Sequence, residues 1–267
     1  MNATQLIIKS KKRLTTQFLG RNLSKLKGAG LDFKDFREYV YGEDAKKIDW
    51  KISAKVNKPL IKEFEENKEL RIIIAVLKSG SMHFGSNKLK STFSAEILSD
   101  IGVSAISQDN KVQVIFLGKE KKVFKPTKNI KKLTAYVDYA LNTRYLQEEI
   151  SQNDIDFLNG FKKSLLFLIG DFFKPFDLTR IKHETYAIIV RDLLEEDPPF
   201  EGNVELVSPI TLNGINVNFN KKTKSKITSH IEKTERVFIN EFKKKGIKYT
   251  KIYTHEEPFY KLMELLR

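Results

Sequence analysis

The chain has 267 residues, of which 40% are hydrophobic and 11% aromatic, so it can bury a real core and lacks the composition of a disordered protein. It contains no cysteine, which excludes disulfides, thiolate metal sites and a cysteine nucleophile and fits a reducing compartment. No apolar run approaches the roughly 20 residues that a membrane-spanning helix needs. The segment 1–13 carries its charges after its apolar patch, the reverse of a signal peptide. We therefore predict a cytoplasmic protein.

The formal net charge is +14, from 48 Lys and Arg against 34 Asp and Glu. A field of this sign attracts acidic protein surfaces, anionic lipid and nucleic acid. Most of the excess is scattered lysine, and the sequence has no helix-turn-helix, zinc-finger or RNP-like signature. Nucleic acid is therefore not expected as the main partner, while a peripheral contact of the basic N-terminal segment with anionic lipid stays open.

Two segments precede the main fold. Apolar residues recur near helical spacing between residues 3 and 26, so residues 1–30 predict a basic amphipathic helical segment. Residues 31–69 predict a polar-aromatic block of turns and short elements, with a strand at 61–65. As a catalytic site, its side chains would supply a carboxylate pair with neighbouring cations. The structural interpretation is favoured, in which they form a turn held by ion pairs with two buried aromatic anchors, Tyr39 and Trp50. The motif residues are Arg37, Glu38, Tyr39, Asp44, Asp49 and Trp50.

From residue 70 onward, apolar strands alternate with amphipathic helices. Strands are predicted at 70–77, 111–117, 164–169, 185–190 and 248–253, an edge strand at 204–207, and helices at 88–106, 129–141, 221–246 and 257–266. This alternation predicts one α/β domain over residues 70–267, with a mostly parallel sheet and helices on both faces. In such sheets, ligands bind at the carboxyl ends of the strands, near the topological switch point.

Polar side chains follow two of these strands. Ser79 and Ser81 lie in the turn after the first strand, and Asp171 follows the third. All three should meet in one crevice, although serine and aspartate at such positions also serve as helix N-caps. The four histidines are dispersed, and no base, nucleophile and orienting residue occur together, so we predict no enzyme. His83 directly follows the turn and is interpreted as a surface residue at a helix start.

A longer pattern runs through the chain. Its blocks are Arg37-Glu38-Tyr39, Gly42-Glu43-Asp44, Ile48-Asp49-Trp50-Lys51, Ser79-Gly80-Ser81-Met82, Leu168-Ile169-Gly170-Asp171-Phe172 and Val190-Arg191-Asp192-Leu193. With these blocks the chain resembles the bacterial family known as domain of unknown function 58, best over residues 30–195. The resemblance implies a von Willebrand factor A-like fold, which is Rossmann-like, and a role as an adaptor or chaperone-like partner of MoxR-type AAA+ ATPases.

The resemblance also implies a metal-ion-dependent adhesion site, which reads Asp-x-Ser-x-Ser in the family and binds Mg²⁺ through hard oxygen ligands. The matching residues here are Ser79, Ser81 and Asp171. The first aspartate of the pattern falls on Leu77, which has no oxygen to offer, and the expected threonine has no counterpart in 147–161. We therefore expect a degenerate site without conventional Mg²⁺ binding.

A lysine could take the place of the metal. Lys78 directly follows Leu77, and we hypothesise that its ammonium pairs with Asp171. The protein would then be a non-enzymatic module that binds a protein partner by surface shape. The alternative is a basic anion- or nucleic-acid-binding protein that uses the Lys-rich helix at 221–245, and its affinity should fall steeply with salt.

Overall fold

The structure is a computed structural model that describes residues 2–16, 31–66 and 70–266. By their contacts, these residues divide into a smaller unit, 31–66 with residue 70, and a larger unit, 2–16 with 71–266. Helix α1 (Ala3–Thr16), predicted as part of a segment of its own, belongs to the larger unit. The rest of that predicted segment, residues 17–30, lies outside the described residues.

The smaller unit is built on an antiparallel strand pair. Its elements are β1 (Leu31–Glu38), a 3₁₀ turn (Ala45–Lys47), α2 (Trp50–Val56) and β2 (Leu60–Glu66). The strands pair from Leu31 opposite Glu66 to Glu38 opposite Leu60. Ile48 forms an isolated bridge to Ile61, and both side chains are buried. The predicted strand at 61–65 therefore lies within β2.

The larger unit contains a six-stranded sheet. Its elements after α1 are β3 (Arg71–Leu77), a 3₁₀ turn (Gly80–Met82), α3 (Lys90–Ser107), β4 (Lys111–Leu117), β5 (Lys122–Val123), α4 (Ile130–Asn142), α5 (Gln152–Phe157), a 3₁₀ turn (Leu158–Gly160), β6 (Leu165–Gly170), β7 (Glu184–Arg191), α6 (Leu193–Glu196), β8 (Gly202–Val207), β9 (Gly214–Phe219), α7 (Lys221–Lys245), β10 (Lys248–Tyr253) and α8 (Pro258–Leu265). The sheet order is β5-β4-β3-β6-β7-β10. All neighbours are parallel except β5, which runs antiparallel to β4 at the edge.

This sheet confirms the predicted fold class, an α/β domain with a mostly parallel sheet. In chain order its strands run 3-2-1-4-5-6, the doubly wound order, so the switch point lies between β3 and β6. The strands are continuous apolar runs because both faces are covered. Alternate residues of β3, such as Ile73 and Ala75, join a core with Phe238 and Phe242 of α7, and α3 contacts the same strand.

One predicted edge strand pairs elsewhere. β8, which contains the predicted strand 204–207, does not join the sheet but forms an antiparallel hairpin with β9. Its side chains alternate between exposed and half-buried, which suits a hairpin with one solvent-exposed face rather than a strand inside a buried sheet. The tip of this hairpin, residues 208–213, reaches the turn that follows β3, as described below.

Helix α1 is bound to α3 by both apolar and charged contacts. Leu6 and Ile7 are buried, so the apolar face of α1 is used within the larger unit. The Ser10 hydroxyl donates to Asp100 at 2.5 Å, and Arg13 donates to the same carboxylate at 2.7 Å. Burial raises the pKa of Asp100 above its ordinary range in spite of Arg13 and Ser10. Among the described residues, no helix is long and apolar enough to cross a membrane.

Candidate functional site at the switch point

A cavity of about 180 Å³ lies at the carboxyl ends of β3 and β6. Ser79, Ser81 and Asp171 all line it, so the structure brings the three predicted side chains together. The other lining residues are Leu77, Ile150, Phe172, Phe173, Phe176 and Ile210, with Glu149 and Lys174. Small-molecule sites usually measure roughly 300–1,000 Å³. A cavity of this size therefore suits a single side chain better than a whole metabolite.

The turn after β3 is clamped on two sides. The backbone N–H of Gly80 donates to the carbonyl of Glu148 at 2.8 Å. A Cβ at Gly80 would lie 2.7 Å from the carbonyl oxygen of Pro209, at the tip of the β8–β9 hairpin, so only glycine fits. The hydroxyl oxygens of Ser79 and Ser81 are held 2.6 Å apart. The side chain of Ser79 makes no capping hydrogen bond, so the capping alternative does not apply to it.

The lysine beside Asp171 is Lys90, the first residue of α3. Its ammonium lies 3.0 Å from Asp171 Oδ2 and also pairs with Glu195. Lys90 is fully buried. The hypothesis about Lys78 was wrong, because that ammonium lies 3.2 Å from Glu148. Lys78 leaves β3 towards the segment before α5, whereas the packing of α3 on the sheet brings Lys90 over the strand ends.

The charge on Asp171 is stabilised by its neighbours. Burial opposes its ionisation, but Lys90, a hydrogen bond from Ser81 and the charge of Arg191 together hold the pKa of Asp171 below its ordinary range. For Glu195 the balance is reversed. Burial and repulsion by Asp171 raise its pKa although Lys90 is in contact. Asp171 is therefore the more strongly ionised of the two carboxyls that share Lys90.

Two buried cations approach the same aromatic ring. The guanidinium carbon of Arg191 lies 4.2 Å, and Lys90 Nζ 4.9 Å, from the ring centroid of Phe173. Arg191 is fully buried and donates to the backbone carbonyl of Asp171. Next to it, Asp192 accepts from the backbone N–H of Ser86 at 2.9 Å and from Thr254. These contacts fix the ends of β6 and β7, and no helix begins at Asp171, so its N-cap alternative does not apply either.

The residues of this site do not fit Mg²⁺. Leu77 is 2% exposed and packs in the core, with its side chain 2.6 Å from the position of a Cβ at Gly170. The ammonium of Lys90 already occupies a coordination direction of Asp171, and its charge would repel a divalent ion. Over residues 2–16, 31–66 and 70–266 no group of three or more His, Asp or Glu side chains is arranged to hold a metal.

Two histidines near the sheet have separate settings. His83 is exposed, follows the 3₁₀ turn and does not line the cavity. His183 is buried, donates through Nε2 to the carbonyl of Leu158 at 2.8 Å and accepts at Nδ1 from the N–H of Ser164 at 3.2 Å. Burial lowers the pKa of His183, which keeps the ring neutral. Its role is to join β6 and β7 to the turn before them.

The motif of the smaller unit is held by local polar contacts. Arg37 makes two hydrogen bonds to Glu43, at 2.8 and 2.7 Å, and the Tyr39 hydroxyl donates to the Glu43 carbonyl at 2.9 Å. Asp44 accepts from the N–H of Lys46, and Asp49 caps α2. Glu38 pairs with Lys58 at 2.6 Å. The geometry of these residues is that of a pinned turn.

Trp50 is not the buried anchor that the sequence predicted. It is the first residue of α2 and is 67% exposed. The helix instead turns Ser53 inward, where its hydroxyl accepts from the N–H of Leu60 at 2.8 Å. Tyr41, in the turn after β1, is 99% exposed, and Tyr39 is only half-buried. The smaller unit therefore presents large aromatic side chains to solvent.

Fold and site together define a doubly wound α/β domain with a side-chain-sized cavity at its switch point. The sequence model of the family described as "Protein of unknown function DUF58" matches residues 35–237, and the chain belongs to this family. No curated protein matches the sequence.

Three solved structures are similar in part. One is a conserved hypothetical protein BatB from Bacteroides thetaiotaomicron, with 11% identity over 74% of this chain and 97% of that chain and a TM-score of 0.45. Another is an aerotolerance-related membrane protein from Bacteroides fragilis, with 11% identity over 65% of this chain and 99% of that chain and a TM-score of 0.37. The third is the pilus adhesin SpaC from Lactobacillus rhamnosus GG, with 12% identity over 69% of this chain and 28% of that chain and a TM-score of 0.34. Likenesses this weak carry no argument about function.

Proposed function

We propose that this protein is a non-enzymatic protein-interaction module whose partner is an AAA+ ATPase of the MoxR type. The partner class comes from the family resemblance. The observation that carries an interaction role is the exposure of Trp50 and Tyr41 in the smaller unit, at 67% and 99%. Tryptophan and tyrosine dominate the binding energy of protein interfaces, and an exposed tryptophan costs solubility without a partner to cover it.

The exposed lysines on the same turn and helix as Trp50 favour an acidic partner surface. Lys46, Lys51 and Lys55 are exposed on the same short turn and helix as Trp50. Complementary charge steers a partner to such a patch, and the aromatic side chain, once the partner covers it, supplies most of the affinity. The acidic side of the ATPase would therefore meet this surface.

The switch-point site supports a binding role over a catalytic one. Its carboxylate, Asp171, is paired with Lys90 and has a lowered pKa, which makes it a weak base. The buried histidine, His183, uses both ring nitrogens in structural contacts. We propose that the site works without a metal, in a cytoplasmic protein.

The test is capture of the partner from the native cell. The tagged protein would be purified with magnesium and ATP present, together with Trp50→Ala and, as a matched control, Tyr260→Ala. Tyr260 is also an exposed aromatic residue, at 70%, but lies on α8 of the larger unit. We expect the wild type and Tyr260→Ala to recover an AAA+ ATPase and Trp50→Ala to lose it. Absence of an ATPase from the wild-type sample, or full recovery by Trp50→Ala, would contradict the proposal.

One observation favours the alternative, an anion- or nucleic-acid-binding protein. The first turn of α7 has no acidic residue and carries Lys221, Lys222 and Lys224, where the positive end of the helix dipole makes lysine unfavourable. Such an arrangement is tolerated where an anion covers it. The alternative predicts that a fluorescent single-stranded oligonucleotide binds with a steep salt dependence, and that replacing these lysines by glutamine reduces the slope. An oligonucleotide affinity that is weak and unaffected by these changes would remove the alternative.

A further inference from the structure

We infer that the switch-point cavity binds one uncharged, mostly apolar side chain of a protein partner, whose tip donates a hydrogen bond to Ser79. This specificity is the opposite of that of a metal site, which takes a carboxylate from its partner. The inference rests on the interaction function proposed above, because it takes the occupant to be a partner's side chain.

The hydroxyl pair at the site carries the inference. Asp171 accepts from Lys90 at 3.0 Å, and its lowered pKa keeps it ionised, so it offers no proton. Ser79 and Ser81 share a hydrogen bond of 2.6 Å in which either hydroxyl can be the donor. A hydroxyl has one hydrogen and two lone pairs, so Ser79 keeps at least one lone pair in either direction. That lone pair can accept a hydrogen bond from an occupant of the cavity.

The charged groups that line the cavity are already paired. Asp171 is neutralised by Lys90, and at the rim Glu149 accepts from Lys174 at 2.8 Å. A partner carboxylate would lie near two carboxylates and would find no unpaired lysine among the lining residues. A partner ammonium would lose its hydration without gaining an unpaired carboxylate. Either charge is therefore disfavoured against an uncharged group of the same shape.

The remaining walls set the shape of the occupant. Five apolar side chains line the cavity together with the hydroxyls of Ser79 and Ser81; they are Leu77, Ile150, Phe172, Phe176 and Ile210. Their apolar surface favours an aliphatic or aromatic body, and the volume of about 180 Å³ limits it to one side chain. Ile210 comes from the hairpin tip, which also contacts the turn that carries Ser79. The hairpin therefore forms part of the cavity wall.

The test uses three small probes that share one branched carbon skeleton and differ only at the tip. These are isoamyl alcohol, isoamylamine and isovalerate, titrated at neutral pH into the full chain while amide NMR signals are followed. We expect the alcohol to shift the signals of Ser79, Ser81 and Phe172 in a saturable way, and the amine and the carboxylate to bind at least about ten-fold more weakly. Ser79→Ala should weaken the alcohol about three- to ten-fold. Ser107→Ala, whose hydroxyl bonds to Ser104 on α3, is the matched control and should leave the affinity unchanged.

Three results would overturn the inference. The first is tighter binding of isovalerate than of isoamyl alcohol, above all if magnesium strengthened it. The second is an alcohol affinity that Ser79→Ala leaves unchanged. The third is an absence of shifts at the cavity with all three probes. None of these results depends on capture of an ATPase through Trp50, so the inference and the proposed function fail separately.

Discussion

Replacing Lys90 by methionine removes the cation at the centre of the switch-point site and leaves its aliphatic volume in place. Lys90 is fully buried, lies 3.0 Å from Asp171 and also pairs with Glu195. In the variant, two buried carboxyl groups would face each other without the ammonium that pairs with both, and only the more indirect charge of Arg191 would remain. Removing one member of a buried ion pair costs about 3–5 kcal/mol, because the partner's charge stays buried and uncompensated. We expect a loss of this size in the free energy of unfolding at neutral pH.

The loss should depend on pH with a definite sign. In the wild type, the pKa of Asp171 lies below its ordinary value, so its contribution to stability is present above that ordinary value and is lost as the pH falls through the lowered pKa. In Lys90→Met, burial without the paired ammonium should raise the pKa of Asp171 above its unfolded value and raise that of Glu195, already elevated, still further. The variant then regains stability as the pH falls. The gap between the two proteins should therefore be widest at neutral pH and narrow towards about pH 4.

Urea unfolding of the two proteins over this pH range measures the effect. Lys128→Met serves as the control, since Lys128 pairs with the exposed Asp109 at 2.8 Å and such surface pairs contribute less than about 1 kcal/mol. The double variant Lys90→Met with Asp171→Asn should recover roughly 2 kcal/mol by removing one of the two unpaired charges. A loss under about 1 kcal/mol, or one that does not change with pH, would refute the reasoning about the buried ion pair.

Three further predictions concern the same unit. The double variant Leu77→Asp with Lys90→Ser supplies the missing carboxylate and removes the competing ammonium. Millimolar magnesium should therefore raise the melting temperature of the double variant and leave that of Leu77→Asp alone unchanged. An equal change of melting temperature in the two variants would contradict this. Burial lowers the pKa of His183, so its contribution to stability is present above the ordinary histidine pKa of about 6.5 and is lost as the pH falls below that value. From neutral to acidic pH, the free energy of unfolding should therefore fall less steeply in His183→Gln than in the wild type. Gly80→Ala places a Cβ 2.7 Å from the carbonyl oxygen of Pro209. This should lower the free energy of unfolding in urea by about 1–3 kcal/mol and abolish the NMR shifts with isoamyl alcohol. A variant as stable as the wild type would show that the hairpin tip can move aside without loss of stability.

The parts of this fold that follow from local pattern were predictable. β3 and β6 are continuous apolar runs, and such runs indicate buried parallel strands wherever helices alternate with them. Because parallel strands end at one edge, Ser79 and Asp171 could be placed near each other from their positions after these strands. The same logic could not assign the 204–207 strand to a sheet, because strand partners depend on tertiary packing.

The parts that depend on packing between distant elements were not predictable. Lys90 reads in the sequence as one more lysine at a helix start, and only the contact of α3 with the sheet brings it to Asp171. Lys78, the lysine nearest in sequence to the turn, is directed to Glu148 instead. Trp50 was predicted to be a buried aromatic anchor of the polar turn, yet the orientation of α2 turns Ser53 inward and leaves the indole exposed. Ile210 joins the cavity only through the hairpin tip.

The central claim is that Lys90 supplies the positive charge that a bound metal would otherwise provide beside Asp171. Titration of magnesium into the wild-type protein by isothermal calorimetry, in a buffer stripped of divalent ions, tests it most directly. We expect no binding heat up to millimolar concentration and the same melting temperature with and without the metal. Saturable magnesium binding that Asp171→Asn abolishes would contradict the claim and restore a metal site at the switch point.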